Sequence, residues 1–227
     1  MAQRGFDRRL LGTVLLLVAV GLAMLYSAGQ TDVPTALTNV WRRQALWLVH
    51  GALAGAAVYR VSPRLLEWSA PFVYGLSVLV LALTLALGTG AGTAAGARSW
   101  LAIGGVRIGQ PAEVAKLATI LMLARHLGAR RESLQNMAEL LPACVIVGIP
   151  FVLVGLQPDL GSAIVFLGIL LGVLFWAGVA PRLLLLLASP VISLLLAFST
   201  VSWGAWIVVL TLLLMLWRPY VLEAAVV

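Results

Sequence analysis

The chain has 227 residues, of which 62% are hydrophobic and 10% are charged, and its mean hydropathy is +1.07. This composition excludes a soluble globular domain, because several apolar runs exceed the roughly 18 residues that cross a bilayer. The runs are continuous rather than alternating, which excludes barrel strands and predicts an all-α polytopic integral membrane protein. The formal charge of +7 fits arginines in cytoplasmic loops and at anionic lipid headgroups better than nucleic-acid binding. The single cysteine, Cys144, excludes an intramolecular disulfide.

Eight transmembrane helices are predicted. The first apolar run follows a positively charged start, as a signal peptide does, but its length of about 19 residues is enough to span a membrane. We therefore interpret it as a retained signal anchor. The predicted spans cover residues 10–29, 44–60, 70–88, 110–127, 139–156, 160–179, 183–200 and 203–217.

The basic residues predict the orientation of these helices. With the N-terminus in the cytoplasm, ten of them face the cytoplasm: Arg4, Arg8, Arg9, Arg60, Arg64, Arg125, Arg130, Arg131, Arg182 and Arg218. Four face outward, namely Arg42, Arg43, Arg98 and Arg107, and Lys116 falls within a span. This excess satisfies the positive-inside rule. It places the long loop after the third span and the "QPDLG" turn on the outer side.

Glu113 and Lys116 are charged residues inside an otherwise apolar span, where each costs about 2.5–3.5 kcal/mol on insertion scales. They are three residues apart, so on a helix they share a face and can pair. One interpretation is a self-neutralising pair that locks two helices together. The other is a polar floor beneath an outward cavity, which is favoured by Pro111 in the first helical turn and by free N–H groups that could hold an anion.

The loop before this helix, "GTGAGTAAGARSWLAIGGVR", has the glycines of a phosphate-binding loop but lacks its Lys-Ser/Thr and a preceding strand. We expect a flexible outer loop, with Trp100 as an anchor or an aromatic platform. The outward arginines, Arg42, Arg43, Arg98 and Arg107, could contact lipid headgroups. They could equally bind an anionic substrate such as a pyrophosphate, which the planar guanidinium fork suits.

Asp159 lies in "LQPDLGSA", a turn between two apolar spans. An aspartate in this context is typical of a helix N-cap that accepts a backbone N–H. Without a neighbouring acid, base or metal ligand, it is weak evidence for catalysis. His50 and His126 lie far apart and have no neighbour at ligand spacing, so the sequence predicts no metal site.

Four blocks of the sequence resemble one family over about residues 10–180. The longer two are "GARSWLAIGGVRIGQPAEVAKLATILMLARHL" and "LQPDLGSAIVFLGILLGVLFWAGV", and the shorter two are "GLAMLYSAG" and "WRRQALWLVHG". They are similar to signature blocks of the SEDS proteins, the RodA/FtsW group, with a RodA-like member favoured by the short tail before the first span.

The resemblance implies a peptidoglycan glycosyltransferase with about ten spans in the bacterial cytoplasmic membrane. Such enzymes polymerise lipid II, an undecaprenyl-pyrophosphate disaccharide-pentapeptide, at the outer face, together with a class B penicillin-binding protein. By this resemblance Glu113, Lys116, Trp100, Asp159 and Arg43 match residues of the family's substrate cavity. Arg42, which is next to Arg43, and Arg98 are also candidate substrate contacts.

Two departures from the family pattern matter. The arginine that usually precedes the tryptophan is replaced by Ser99, with Arg98 one place earlier. The family's proposed catalytic aspartate lies in a later "H-T-D-F" block, which residues 1–227 do not contain. We therefore expect a single SEDS-like transmembrane domain over 1–227, truncated at its C-terminus and inactive alone, whose catalytic residue lies beyond residue 227.

The mechanism implied for the complete protein is inverting glycosyl transfer. A carboxylate would act as general base on the acceptor hydroxyl, and cations would stabilise the departing pyrophosphate. Arg42, Arg43, Arg98 and Lys116 are the candidates for the second role. The sequence requires no cofactor, and a divalent metal on the pyrophosphate stays an open option.

Two other functions remain as alternatives. A precursor flippase or transporter would also use charges and broken helices at membrane depth, but it needs polar groups that reach both leaflets, and here they concentrate on the outer half. A non-catalytic membrane scaffold is the third reading. "QPAE" is typical of division-type members, so elongation and division roles stay unresolved.

Overall fold

Eight helices and one β-hairpin make up the computed structural model, which describes residues 8–30, 39–90, 99–103, 106–130, 134 and 136–226. The helices are α1 (Arg8–Ala28), α2 (Val40–Arg60), α3 (Pro63–Leu87), α4 (Pro111–Gly128), α5 (Met137–Gly155), α6 (Leu160–Trp176), α7 (Pro181–Leu196) and α8 (Thr200–Val226). Strands β1 (Leu101–Ile103) and β2 (Val106–Gly109) lie between α3 and α4. The prediction of eight helices in an all-α membrane fold is thereby confirmed.

Several of these helices are long and apolar enough to cross a bilayer. Among the described residues, four meet this requirement: Arg8–Ala28, Pro63–Leu87, Met137–Gly155 and Thr200–Trp217. Helices α6 and α7 are apolar but shorter. Large apolar side chains are exposed along most of the helices, as expected for surfaces that face lipid. The chain is a multi-pass membrane protein.

Helix α3 begins earlier than the sequence predicts. It starts at Pro63 instead of residue 70, because a proline suits the first helical turn, where its missing N–H has no intrahelical role. Arg64 and Glu67 had made this stretch read as a polar connector. Helix α8 also continues past the predicted end, to Val226.

The loop after α3 contains a hairpin, so the expectation of a wholly flexible loop is wrong for its second half. Strands β1 and β2 pair antiparallel, with Ala102 opposite Arg107 and Ile103 opposite Val106. The sequence carried a signal for it, since two glycines separate the short apolar runs "LAI" and "VRI" and such a dipeptide is typical of a two-residue hairpin loop.

At three of the prolines inside helices, Pro71, Pro150 and Pro190, a side chain replaces the backbone donor that proline lacks. Proline has no N–H for the carbonyl four residues earlier, and bare backbone groups are costly in a membrane. For Pro150 that carbonyl belongs to Ile146, and the Tyr74 hydroxyl donates to it at 2.7 Å. The other two pairs are Pro71 with Glu67, whose oxygen accepts from Arg125 at 3.1 Å, and Pro190 with Leu186, whose oxygen accepts from Ser189 at 2.7 Å.

The chain divides into two compact units, Met1–Ser62 and Pro63–Val227. The first holds α1 and α2, where the rings of Tyr26 and Trp41 meet edge to face with centroids 5.7 Å apart. The second holds α3 to α8 and its buried core, with Phe166 of α6 fully enclosed.

Helix α4 owes its central place in the second unit to small side chains. Ala112, Ala115 and Ala118 are buried along one face, and α3 packs along α4. Small residues let helix backbones approach closely within a membrane. The same close packing fixes the N-terminal turn of α4, which carries the charged residues.

Candidate functional site

Polar side chains gather where α3 and α5 end and where α4 and α6 begin. We call Gln110, Glu113, Lys116, Gln157 and Asp159 the polar end of the second unit. Each of the two glutamines links a pair of these helix ends through a hydrogen bond. The polar end therefore consists of residues that are distant in sequence but joined in space.

Glu113 and Lys116 form an ion pair on α4. The Lys116 Nζ lies 2.6 Å from the Glu113 Oε1, and the side chains are 16% and 61% exposed, respectively. The predicted pairing at a spacing of three residues is thereby confirmed. Because both partners belong to α4, this ion pair does not itself lock two helices together. A pair with such an exposed carboxylate stabilises the fold by less than about 1 kcal/mol, which leaves its location within an apolar protein to be explained by function.

The start of α4 sets the position of this pair. Pro111 occupies the first helical position, where its fixed φ favours a helix. The Gln110 backbone carbonyl accepts a hydrogen bond from the Glu113 backbone N–H at 3.1 Å. Glu113 also places a negative charge in the first turn, where the helix dipole favours it.

Asp159 is the N-cap of α6, as predicted. Its Oδ1 accepts the Ser162 backbone N–H at 3.0 Å. Its Oδ2 accepts a hydrogen bond from the Gln110 Nε2 at 2.7 Å, and the same nitrogen lies 3.3 Å from the Ser162 Oγ. Both carboxylate oxygens of Asp159 are therefore engaged by the protein.

Gln157 is a residue that the sequence did not single out. Its side chain is 1% exposed, and its Nε2 donates to the Leu81 carbonyl of α3 at 3.0 Å. Its Oε1 has no hydrogen-bond partner among the described residues. The only signal in the sequence was the amide side chain in "LQPDLG". If such an amide is buried, its polar atoms need hydrogen-bond partners.

Trp100 is held at the end of α3 through its backbone. Its carbonyl accepts the Thr89 N–H at 2.8 Å, and its own N–H donates back at 3.3 Å. The neighbouring Ser99 is buried. Arg98, which the sequence proposed as a substrate contact, lies outside the described residues, and of Arg107 the structure gives only its backbone position in β2.

Arg42 and Arg43 lie in the first turn of α2, within the first unit. Both are exposed. The Arg42 guanidinium lies 5.4 Å from the centroid of the Trp41 ring, a cation–π contact. Trp41 in turn packs on Tyr26, so aromatic side chains support this arginine at the start of α2.

An apolar groove adjoins the polar end. It has a volume of about 570 Å³ and runs between α3, the hairpin and the first turn of α4. Its lining residues are Val73, Leu76, Ser77, Val80, Leu87, Leu101, Ala102, Gly109, Gln110, Pro111 and Val114. Gln110, Pro111 and Val114 bring the groove to the first turn of α4, the turn that contains Glu113, whereas neither Glu113 nor Lys116 lines it. This arrangement can hold a molecule with an ionic head and an apolar tail.

The described residues include no group of three His, Cys, Asp or Glu side chains that could hold a metal ion. The His50 Nδ1 lies 2.8 Å from the Leu46 carbonyl within its own helix. The polar end presents two carboxylates, those of Glu113 and Asp159, and one ammonium group, that of Lys116.

Comparison with known proteins decides the family. A family model that is described as cell cycle protein and named for FtsW, RodA and SpoVE matches residues 7–220. The chain belongs to this FtsW/RodA/SpoVE family. The predicted resemblance to the SEDS proteins is thereby confirmed.

Individual members of the FtsW/RodA/SpoVE family are similar over most of this chain. A probable peptidoglycan glycosyltransferase FtsW from Alcanivorax borkumensis is 35% identical over 203 residues, which cover 86% of this chain and 52% of the relative. The crystal structure of an aspartate-to-alanine mutant of Thermus thermophilus RodA has 32% identity and a TM-score of 0.69, covering 85% of this chain and 60% of RodA.

A third similar protein belongs to an assembly. It is a chain in a structure of a peptidoglycan synthase complex described as coordinating polymerization and crosslinking, with 33% identity and a TM-score of 0.62, covering 75% of this chain and 46% of that one. The chain with the present sequence spans about half the length of the curated relatives it matches, for example 52% of the A. borkumensis protein. Both FtsW and RodA proteins are among the relatives that this chain matches.

Proposed function

We propose that this chain provides the lipid-binding membrane part of a peptidoglycan glycosyltransferase that polymerises lipid II at the outer face of the bacterial cytoplasmic membrane. The observation that carries the proposal is an apolar groove that reaches the first turn of α4, the helix that also carries the Glu113–Lys116 pair. A polyprenyl-pyrophosphate sugar needs both environments side by side. Similarity to a protein named probable peptidoglycan glycosyltransferase supports the same substrate class.

The groove suits the first isoprene units of the lipid. Its lining is almost wholly aliphatic, and it is bounded by α3 and the start of α4. Apolar chains gain little by leaving lipid for such a surface, so the groove contributes orientation more than affinity. A lipid seated there would extend to the first turn of α4, which contains Glu113.

The cationic groups suit the pyrophosphate. The Lys116 ammonium is positively charged, and the helix dipole adds partial positive charge at the start of α4. When the pyrophosphate departs it gains negative charge, and fixed donors that face this charge lower the barrier. Glu113 holds the Lys116 side chain through the 2.6 Å contact. Arg42, Arg43 and Arg98 are further proposed contacts with the phosphates, and Trp100 with the sugar.

The reaction would proceed by direct displacement. The acceptor sugar hydroxyl forms a bond to the anomeric carbon of the donor, whose bond to the pyrophosphate oxygen breaks with the electron pair leaving on that oxygen. A general base takes the hydroxyl proton. Asp159 is not assigned that role, because its carboxylate serves as the N-cap of α6 and as the acceptor for Gln110. The resemblance assigns the base to an aspartate of an "H-T-D-F" block, which is not among residues 1–227.

A class B penicillin-binding protein is the proposed partner. The support is that one similar chain belongs to a peptidoglycan synthase complex. Exposed apolar faces on the helices leave room for a partner's membrane segment. A transporter is less well supported, because the interiors of α5, α6 and α7 carry no charged residue.

The test is a polymerisation assay on the full-length protein that contains these residues, purified with its penicillin-binding partner and given labelled lipid II. Glycan strands resolved by gel electrophoresis support the proposal if they fall with Lys116→Ala and persist with Glu67→Gln. Glu67 is exposed and lies at the opposite end of α3 from the polar end. Absence of strands from the wild type, with lipid II moving between leaflets instead, would establish the transporter.

A further inference from the structure

The side chain of Gln110 bridges two helix starts instead of capping its own. Gln110 precedes Pro111 at the N-cap position of α4, and its side chain makes no capping hydrogen bond there. Its Nε2 instead donates to the Asp159 Oδ2 at 2.7 Å and lies 3.3 Å from the Ser162 Oγ. Because the acceptor is an ionised carboxylate, this is a charge-assisted hydrogen bond, which is stronger than a hydrogen bond between two neutral groups.

This bridge connects to the charged pair through one backbone bond. The Gln110 carbonyl accepts the Glu113 N–H at 3.1 Å, and Glu113 holds Lys116. Gln110 also lines the apolar groove together with Pro111 and Val114. A displacement of Gln110 therefore moves the groove wall and the ion pair together.

We propose that Gln110 is a positioning residue, and that Asp159 acts through it: the pair clamps the first turn of α4 against the N-cap of α6 and so fixes the turn from which Glu113 holds Lys116. The inference rests on the proposed glycosyl transfer. It gives Asp159 a role that does not require contact with the substrate, because its Oδ1 caps α6 and its Oδ2 receives the Gln110 amide.

The chemistry of the clamp allows the two groups to be exchanged. Gln110→Glu places two carboxylates at the position of the 2.7 Å contact, and like charges at this distance repel. Asp159→Asn keeps Oδ1 as the acceptor for the Ser162 N–H but puts an NH2 group in place of Oδ2. The Gln110 amide must then turn to present its Oε1 as acceptor, and the charge-assisted bond becomes a weaker neutral one. The double variant exchanges amide and carboxylate, so that the new asparagine amide donates to the new glutamate and the cap of α6 is retained.

The experiment measures kcat and KM for lipid II polymerisation, together with the melting temperature, on the full-length protein. For Gln110→Glu we expect kcat to fall by about tenfold or more, as misplacement of a reacting group by ångströms does, with a smaller change in KM. For Asp159→Asn we expect kcat to fall about threefold, because the hydrogen bond to Gln110 becomes weaker. The exchanged double variant recovers to within about threefold of the wild type. Gln30→Glu, at an exposed site after α1, is the matched charge control and keeps the wild-type kcat.

Gln110→Asn guards against a failure of Gln110→Glu to fold, because it keeps the amide and shortens the side chain by one methylene. We expect a loss in kcat with an unchanged melting temperature. An active wild type whose Gln110→Asn variant has full kcat, or whose exchanged variant is no better than Gln110→Glu, overturns the clamp while the proposed function stands. An inactive wild type overturns the proposed function, and the positioning role falls with it.

Discussion

The hydroxyl of Tyr74 on α3 donates to the carbonyl oxygen of Ile146 on α5 at 2.7 Å, and this is the oxygen that Pro150 leaves without a helical donor. Pro150 and the side chain that compensates for its missing N–H thus lie on different helices. Because the bare carbonyl would face an apolar interior, the hydrogen bond both satisfies α5 and fastens it to α3.

Tyr74→Phe should therefore destabilise the protein. We expect a loss of about 0.5–1.5 kcal/mol in the free energy of unfolding, the usual net worth of such a bond, measured by denaturation in mixed micelles. In a Pro150→Ala background the restored N–H of residue 150 can satisfy Ile146, so the same substitution should cost less. Tyr26→Phe, at a tyrosine that is 51% exposed, is the control. Equal costs in both backgrounds would refute the link to Pro150.

Gln157→Ala should destabilise the contact between α3 and the turn before α6. The substitution removes the bond to the Leu81 carbonyl and leaves a cavity at a fully buried position. We expect a loss of about 1–3 kcal/mol in the same unfolding measurement. Gln30→Ala, at an exposed glutamine, should change the free energy by less than about 0.5 kcal/mol. Similar effects of the two substitutions would contradict the assigned role.

Lys116→Ala should reduce polymerisation far more than it reduces stability. Loss of one fixed donor to a developing anion lowers kcat by about a hundredfold or more, whereas a partly exposed ion pair is worth less than about 1 kcal/mol. Glu113→Gln keeps an acceptor for the lysine, and its loss should be smaller, about tenfold. Steady-state polymerisation on protein with an unchanged melting temperature tests both. If Lys116→Ala unfolds the protein, the pair is structural after all.

Val114→Trp should obstruct the apolar groove. Val114 is 58% exposed and lines the groove one residue after Glu113. Because the groove orients the lipid more than it binds it, we expect kcat for lipid II polymerisation to fall about tenfold, as misplacement of a reacting group does, while kcat for an analogue with a short lipid tail changes less. Val165→Trp, on α6 at a valine that is 44% exposed, is the matched control. The same kcat for the two tryptophan variants would exclude the groove as the lipid site.

The parts of the fold that follow from local sequence could be predicted. Continuous apolar runs gave the eight helices, a spacing of three residues gave the Glu113–Lys116 pair, and "DLGS" gave the Asp159 cap. Each depends on residues within one helical turn or one span. The hairpin also depends on residues that are close in sequence, but the glycines of this loop were interpreted as a sign of flexibility.

The contacts that join helices could not be predicted. Gln110 and Asp159 are 49 residues apart, and Gln157 and Leu81 are 76 apart. Hydrophobic periodicity says which faces are apolar but not which helices become neighbours, so an amide at a helix start has no visible partner in the sequence. The functional roles of Arg42, Arg43, Arg98 and Trp100 stay predictions from the resemblance.

The central claim is that the groove and the start of α4 receive a polyprenyl-pyrophosphate sugar. The most direct measurement is photocrosslinking of the full-length protein with a lipid II analogue that carries its reactive group near the pyrophosphate, followed by mass spectrometry of the labelled peptides. We predict labelling within Leu101–Val114 and the end of α3 that excess lipid II competes away. Labelling confined to other helices, or labelling that lipid II does not displace, would contradict the account.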